Sequence, residues 1–181
     1  VEALALQADI GVKLASAHLK ELRVARLVET RKEGKYVLYR LAGTSVADLW
    51  VELRSAAEER LVELQVAVAE LVVRGDDLEG LDRKSILKKA AAGEILVLDV
   101  RPSEEFAVAH LPHARSLPLS ELKKRLAELP KDTPVVAYCR GPFCLMSDEA
   151  VKLLQARGYR ARKTFDGVSE WQAAGLPVQR A

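Results

Sequence analysis

Apolar residues in the first half of the chain recur at helical steps, whereas those in the second half form short unbroken runs. Residues 1–8 carry the pattern of the end of a helix, which predicts further helices ahead of Val1. Gly11 interrupts that pattern. Over residues 12–24, Leu14, Ala15, Leu19 and Leu22 share one face and predict a helix with that face buried. Residues 27–31 and 36–41 read as two strands, joined by a tip, Lys32-Glu33-Gly34-Lys35, that supplies a glycine and charge as a hairpin needs. Over residues 45–73, Leu49, Leu53, Ala57, Leu61, Leu64, Val68 and Leu71 recur at three- or four-residue steps, with Glu52, Arg54, Glu58, Glu59, Glu63 and Glu70 opposite. A helix that long with a single apolar stripe needs a partner, either its own domain or a second copy of the chain. Trp50 lies on this helix and reads as interface or core.

Arg74-Gly75-Asp76-Asp77-Leu78-Glu79-Gly80 is polar and carries two glycines, so the domain boundary is placed here, dividing the chain into residues 1–75 and 76–181. Beyond it the pattern alternates. Helices are expected at 85–92, 104–109, 119–129, 146–157 and 168–174, and apolar strands at 95–100, 134–138 and 159–163. Strands separated by helices predict a parallel sheet covered on both faces, an α/β domain.

Composition narrows the function classes. Hydrophobic residues make up 49% of the chain, enough for packed cores, and the net charge of +2 decides little because a local basic face can hide within it. No stretch approaches the roughly 20 apolar residues of a membrane helix; the longest runs, such as Ile95 to Leu98, are strand-sized. No secretory leader is visible, and a cytoplasmic protein without membrane contact is expected. The two cysteines, Cys139 and Cys144, are five residues apart. A bridge between them would close a very small loop and constrain little, so a disulfide framework is not expected and a reactive use is. The three histidines, His18, His110 and His113, make no metal-ligand spacing with the cysteines, and neither a metal site nor a cofactor is expected. His110 and His113 read as turn or surface residues rather than as a base.

The segment from Val135 to Met146 concentrates the chemistry. A strand ends at Cys139, a short loop follows, and a helix begins near Met146. Ligands of parallel sheets bind at the carboxyl ends of the strands, and a helix start presents unpaired backbone N–H groups. A loop curled around Cys139 would aim its N–H groups, from Gly141 to Leu145, at the sulfur and favour a thiolate or persulfide anion. Arg140 adds positive charge, Gly141 lets the backbone come close, and Pro142 stiffens the turn. Cys144 is open to two readings: a small residue starting a helix, or a resolving thiol that traps an oxidised or sulfurated Cys139.

This segment resembles the active loop of the rhodanese family, six residues beginning at the catalytic cysteine: Cys139-Arg140-Gly141-Pro142-Phe143-Cys144. Further marks fall in register. Leu98-Asp99-Val100-Arg101 resembles the family's Asp-Val-Arg strand end. Glu104-Glu105-Phe106 with Ala109-His110-Leu111-Pro112-His113-Ala114 resembles its Gly-His-Ile-Pro-Gly-Ala run, with Ala109 and His113 in place of glycines. Asp166-Gly167, Trp171 and Gly175-Leu176-Pro177-Val178 resemble its C-terminal signature. The resemblance implies that Cys139 takes a sulfane sulfur from a donor and passes it to a thiol acceptor or cyanide, with Arg140 and the loop N–H groups holding donor and persulfide, and Asp99 and Arg101 buttressing the loop. The cysteine phosphatases use a longer Cys-x5-Arg loop; the position of their arginine is Leu145 here, which argues against an oxyanion-gripping enzyme.

The first half resembles the winged-helix regulators of the ArsR type. His18-Leu19-Lys20-Glu21-Leu22 followed by Ala25-Arg26-Leu27-Val28 is similar to their His-Leu-x-x-Leu and Ala-Gly-Leu-Val runs, with Arg26 in place of the glycine, and residues 31–41 are similar to their wing. The fold expected is thus two domains: a mainly α winged helix-turn-helix with a long dimerisation helix, then an α/β rhodanese-like domain. The resemblance implies a homodimer through the 45–73 helix that binds double-stranded DNA. The wing cations Arg31, Lys32 and Lys35 suit phosphates, and Lys13, Ser16, Ala17, His18 and Lys20 lie on the helix expected to enter the groove. The cysteine, or acid and histidine, sets used by that family's metal sensors are absent. The combined reading is a DNA-binding regulator with a fused domain that handles reactive sulfur; the alternative is a plain sulfurtransferase whose helical half dimerises or docks a partner.

Overall fold

The computed structural model describes residues 1–64, Val66 and residues 81–180. These divide into two compact units, Val1–Leu53 and Arg54–Ala181. The boundary expected at residue 75 lies outside the described residues.

The first unit contains α1 (Glu2–Gln7), α2 (Val12–Val24), an antiparallel hairpin of β1 (Val28–Glu33) and β2 (Tyr36–Leu41), and the start of α3 (Thr44–Arg60). The α1–α2 connection turns at Asp9, whose φ of 51° is tolerated by a short polar side chain. Gly11 caps α2 in extended backbone, and the buried residues of the two packed helices are Ala5 and Ala15, small enough for close approach. Arg26, where the winged-helix resemblance has glycine, takes the left-handed backbone that glycine favours, at φ 57°. The hairpin turns on two residues, Gly34 and Lys35, with Glu33 opposite Tyr36, so β1 runs two residues further into the tip than the pattern predicted, and β2 begins at Tyr36 as expected.

α3 does not run uninterrupted through the predicted 45–73 span. It ends at Arg60, Leu61 is non-helical, and residues 62–64 are helical again. The Leu64 N–H bonds to the Leu61 carbonyl at 3.1 Å, a three-residue step where a continuous helix would make a four-residue one. Residues 67–73 of the expected helix lie outside the described residues. On α3, Ala47 and Val51 are buried, whereas Leu49, Trp50 and Leu53 are 62%, 59% and 61% exposed. Trp50 is therefore not a core residue of the single chain.

The second unit carries the parallel sheet. After α4 (Arg83–Ala91) come β3 (Leu96–Asp99), α5 (Ser103–Val108), β4 (Arg115–Ser116), α6 (Leu119–Arg125) with a 3-10 turn (Leu126–Glu128), β5 (Val135–Tyr138), α7 (Leu145–Gln155), β6 (Ala161–Lys163) and α8 (Val168–Ala173). The strand order is β4-β3-β5-β6, all parallel. The two-residue β4 escapes a reading based on hydrophobic runs because neither Arg115 nor Ser116 is apolar. Alternation along β5 feeds two cores. Val135, Ala137 and Cys139 join Leu122, Val151 and Leu154 on the α6–α7 face. Val136 and Tyr138 join Ile86, Val168 and Trp171 on the α4–α8 face. Among the described residues no helix is long and apolar enough to cross a membrane.

Candidate functional site

β3 and β5 are paired so that Asp99 lies beside Tyr138, and the next residue of β5's chain is Cys139. The chemistry-bearing loop therefore leaves the carboxyl edge of the central strand pair and enters α7 at Leu145, with Cys144 as its N-cap. Gly141 adopts φ 133° and the Cys144 N–H returns to the Gly141 carbonyl at 3.2 Å, so the loop curls back on itself. The curl brings the Cα atoms of Cys139 and Cys144 to 6.1 Å, and their sulfurs are joined in a disulfide. Of the two readings open for Cys144, the bridge is the one a resolving thiol would make. The bridge is no scaffold across the fold but a clasp inside one loop. Cys139 is 1% exposed, and Cys144 is half-buried. Phe143 and Leu145 are 38% and 60% exposed, and Pro142 is half-buried.

The cations near the loop each have a carboxylate. Arg140 forms a two-pronged ion pair with Glu105 of α5 and donates to the Met146 sulfur at 3.7 Å, so its charge is paired within the domain. Lys163, buried at the end of β6, donates to Asp148 Oδ2 of α7 at 2.6 Å and to the Pro142 carbonyl at 3.4 Å. Arg101 donates to both oxygens of Asp99, at 2.6 Å for the closest contact, and to the Ala109 carbonyl at 2.7 Å. Burial works against the Arg101 charge, but the Asp99 hydrogen bonds and charge outweigh it and hold its pKa above the ordinary value. Its guanidinium also lies over the Tyr138 ring, 5.5 Å from the centroid. Asp99 and Arg101 thus brace the residue preceding Cys139 and the turn at Ala109. Burial, followed by the Asp99 carboxylate, pushes the Tyr138 hydroxyl well above a tyrosine's ordinary pKa; that oxygen accepts from the Leu111 N–H at 3.1 Å. With the side-chain cations paired, the start of the eleven-residue α7 adds the positive end of a helix dipole beside the loop.

The positions outside the motif are as informative. A Cβ on Gly167 would lie 2.7 Å from the Arg140 carbonyl carbon, 2.8 Å from the Cys139 oxygen and 2.9 Å from the Gly141 nitrogen. Only glycine lets the start of α8 back onto the loop. The buried Glu170 accepts the Gly167 N–H at 2.7 Å, and its other oxygen lies 3.0 Å from where a Gly141 Cβ would be. Gly167 is visible in the sequence only as part of the C-terminal signature. Glu170, Lys163 and Asp148 leave a fainter trace: charged residues at positions where the neighbouring pattern is apolar. His110 is buried rather than at the surface, stacked on Phe106 at 3.7 Å with Nδ1 2.8 Å from the Phe106 carbonyl. His113 is an exposed turn residue at φ 61°, the left-handed backbone expected where a glycine is replaced. Among the described residues no group of three or more His, Cys, Asp or Glu side chains is placed to hold a metal ion.

In the first unit, Lys13, Ser16, Ala17, His18 and Lys20 are all exposed on α2, and Arg31, Lys32 and Lys35 are exposed at the hairpin. Arg31 is ion-paired with Glu33 at 2.5 Å, and Lys35 lies 5.3 Å from the centre of the Tyr36 ring.

Residues 82–174 match the profile of the Rhodanese-like domain. Along 98% of its length the chain is 40% identical to the HTH-type transcriptional regulator Rv0324 of Mycobacterium tuberculosis, of which it covers 78%. Over 54% of its length it is 34% identical to a protein of Allochromatium vinosum named Sulfurtransferase, of which it covers 92%. A crystal structure of a Lactobacillus plantarum protein superimposes with a TM-score of 0.52 at 22% identity, over 68% of this chain and 99% of that one, a likeness of fold. Matched in profile across the loop and its supports, and in sequence along nearly its whole length, this chain belongs to the rhodanese-like domain family and to the family of the HTH-type regulator Rv0324.

Proposed function

We propose that this chain is a cytoplasmic, DNA-binding regulator of the ArsR type whose rhodanese-like domain accepts sulfane sulfur on Cys139. The observation that carries the reading is the position of Cys139, at the carboxyl end of the central strand and under a loop gripped by two helix starts. The helix, turn, helix and hairpin of the first unit supply the surface for DNA, and the relatives named as a transcriptional regulator and as a sulfurtransferase support the two halves of the reading. With the disulfide reduced, the Cys139 thiolate attacks the outer sulfur of thiosulfate. A bond forms between Sγ and that sulfur, the sulfur–sulfur bond of the donor breaks, and sulfite leaves with the electron pair. A thiol acceptor afterwards removes the sulfur. The exposed Leu49, Trp50 and Leu53 are the face on which two copies pair through the 45–73 segment. Sulfur loading or oxidation at Cys139 changes DNA affinity.

The test follows sulfite released from thiosulfate by the reduced protein, together with binding to duplex DNA from upstream of the protein's own gene at several salt concentrations. The wild type is expected to release sulfite, to bind the DNA more weakly as salt rises, and to change affinity on treatment with the donor; Cys139→Ser should bind DNA without either sulfite release or the response. Sulfite release without DNA binding would reduce the protein to a sulfurtransferase, and DNA binding that responds equally in Cys139→Ser would sink the sensing role.

A further inference from the structure

We infer that the domain reduces the sulfane sulfur it accepts, with Cys144 expelling it from Cys139 as hydrosulfide. The inference rests on the reading of Cys139 as the sulfur acceptor and deepens it, by naming what removes the sulfur. Its basis is the bond between the two sulfurs. Cys144 does not reach Cys139 by chance of a floppy loop. Its N–H is held by the Gly141 carbonyl, its own carbonyl accepts from the Ser147 hydroxyl at 3.1 Å, and its side chain packs against the apolar cluster that contains Cys139. A thiol held in this way attacks at an effective concentration far above that of any acceptor in solution.

The geometry also decides which sulfur is attacked. In the bridged loop Cys144 is bonded to Cys139 Sγ, which in a persulfide is the inner sulfur. The Cys144 thiolate forms the new bond to that inner sulfur, the persulfide sulfur–sulfur bond breaks, and the terminal sulfur leaves with the electron pair and its proton as hydrosulfide. The two cysteine sulfurs are oxidised by one electron each, and the sulfane sulfur is reduced by two, so no outside oxidant is required. The product is the disulfide. In that state Cys139 is 1% exposed and has no thiolate, so it accepts no second sulfur until a dithiol reductant opens the bridge through the half-buried Cys144. Each turnover therefore converts one sulfane sulfur to sulfide and leaves the loop closed.

Reduced, desalted protein is mixed with thiosulfate in the absence of oxygen, and sulfite, sulfide and intact mass are followed for the wild type, Cys144→Ser and Cys139→Ser. The wild type is expected to release sulfite and sulfide in equal amounts and to end two hydrogens lighter, restarting when a dithiol is added. Cys144→Ser should release sulfite, gain one sulfur atom and make no sulfide; Cys139→Ser should do none of these. A wild type that releases sulfite and keeps the added sulfur overturns the inference while leaving Cys139 as the acceptor. Absence of sulfite from both the wild type and Cys144→Ser overturns the acceptor reading, and the inference with it.

Discussion

Gly167 occupies a position that no side chain can share, because three backbone atoms of residues 139–141 lie within 3 Å of where its Cβ would stand. None of the three is the flexible end of a side chain, so a methyl group there must displace the loop or the start of α8. Overpacking of this kind costs about 1–3 kcal/mol. Gly167→Ala is accordingly expected to lower the unfolding free energy by about that amount and to lose most of its sulfite release from thiosulfate, since the strained backbone is that of Cys139 itself. Unfolding in denaturant and sulfite release, measured on the same preparation, check the two parts; full release with unchanged stability would mean that the loop tolerates the shift. The ion pairs around the loop act at the same scale. Lys163 also holds the Pro142 carbonyl, and Arg101 the Ala109 carbonyl beside the Tyr138 ring, so these two pairs align backbone as well as cancel charge.

At the scale of the element, the hairpin and α7 show how local chemistry sets what a piece of chain can bind. Along β1 and β2 the directly opposed Glu29 and Arg40 form an ion pair, and Arg31 pairs with Glu33, so part of the wing's positive charge is compensated from within. Lys32 and Lys35 are the exposed lysines of the hairpin. If they touch phosphates, Lys32→Ala with Lys35→Ala should weaken binding evenly across DNA sequences and reduce the slope of log affinity against log salt by about 0.9 for each phosphate no longer neutralised. Titrations at several salt concentrations measure that slope, and an unchanged slope would remove the hairpin from the DNA interface. α7 works by position rather than by side-chain charge: Cys144 at its cap and Leu145 at its first turn set the closing end of the loop against the helix N-terminus.

At the scale of the whole molecule, the two units differ in how completely they bury their apolar residues. The second unit has a core on each face of its sheet. In the first, the buried hydrophobic residues are Ala5, Ala15, Val28, Ala47 and Val51, while Leu14, Val24, Leu49, Trp50 and Leu53 remain exposed. So small a set offsets little of the conformational entropy of ordering some fifty residues, at roughly 1–2 kcal/mol each, which is the ground for the proposed pairing of two copies. Leu49→Glu combined with Leu53→Glu is expected to convert a dimer to a monomer in sedimentation velocity, at protein concentrations where the wild type stays associated, and to abolish DNA binding while sulfite release persists. A wild type that sediments as a monomer throughout would refute pairing through this face.

The alternation of helices and strands and the parallel sheet, β4 apart, follow from sequence alone, and so does the choice of Cys139 as the proposed acceptor, because hydrophobic period and strand-ending loops are local signals. The apolar run before Cys139, the glycine and proline after it, and the Asp99-Val100-Arg101 strand end are legible without coordinates. Contacts between residues distant in sequence were settled by the fold. Register alone sets Asp99 against Tyr138, and crossover connections alone carry Gly167 and Lys163 to the loop. Arg140 is next to Cys139 in the chain, yet its charge belongs to Glu105, thirty-five residues away. The disulfide is the sharpest case. Spacing makes a five-residue bridge look unprofitable as a scaffold, and only the folded loop, through the curl at Gly141 and the cap of α7, brings the two sulfurs together.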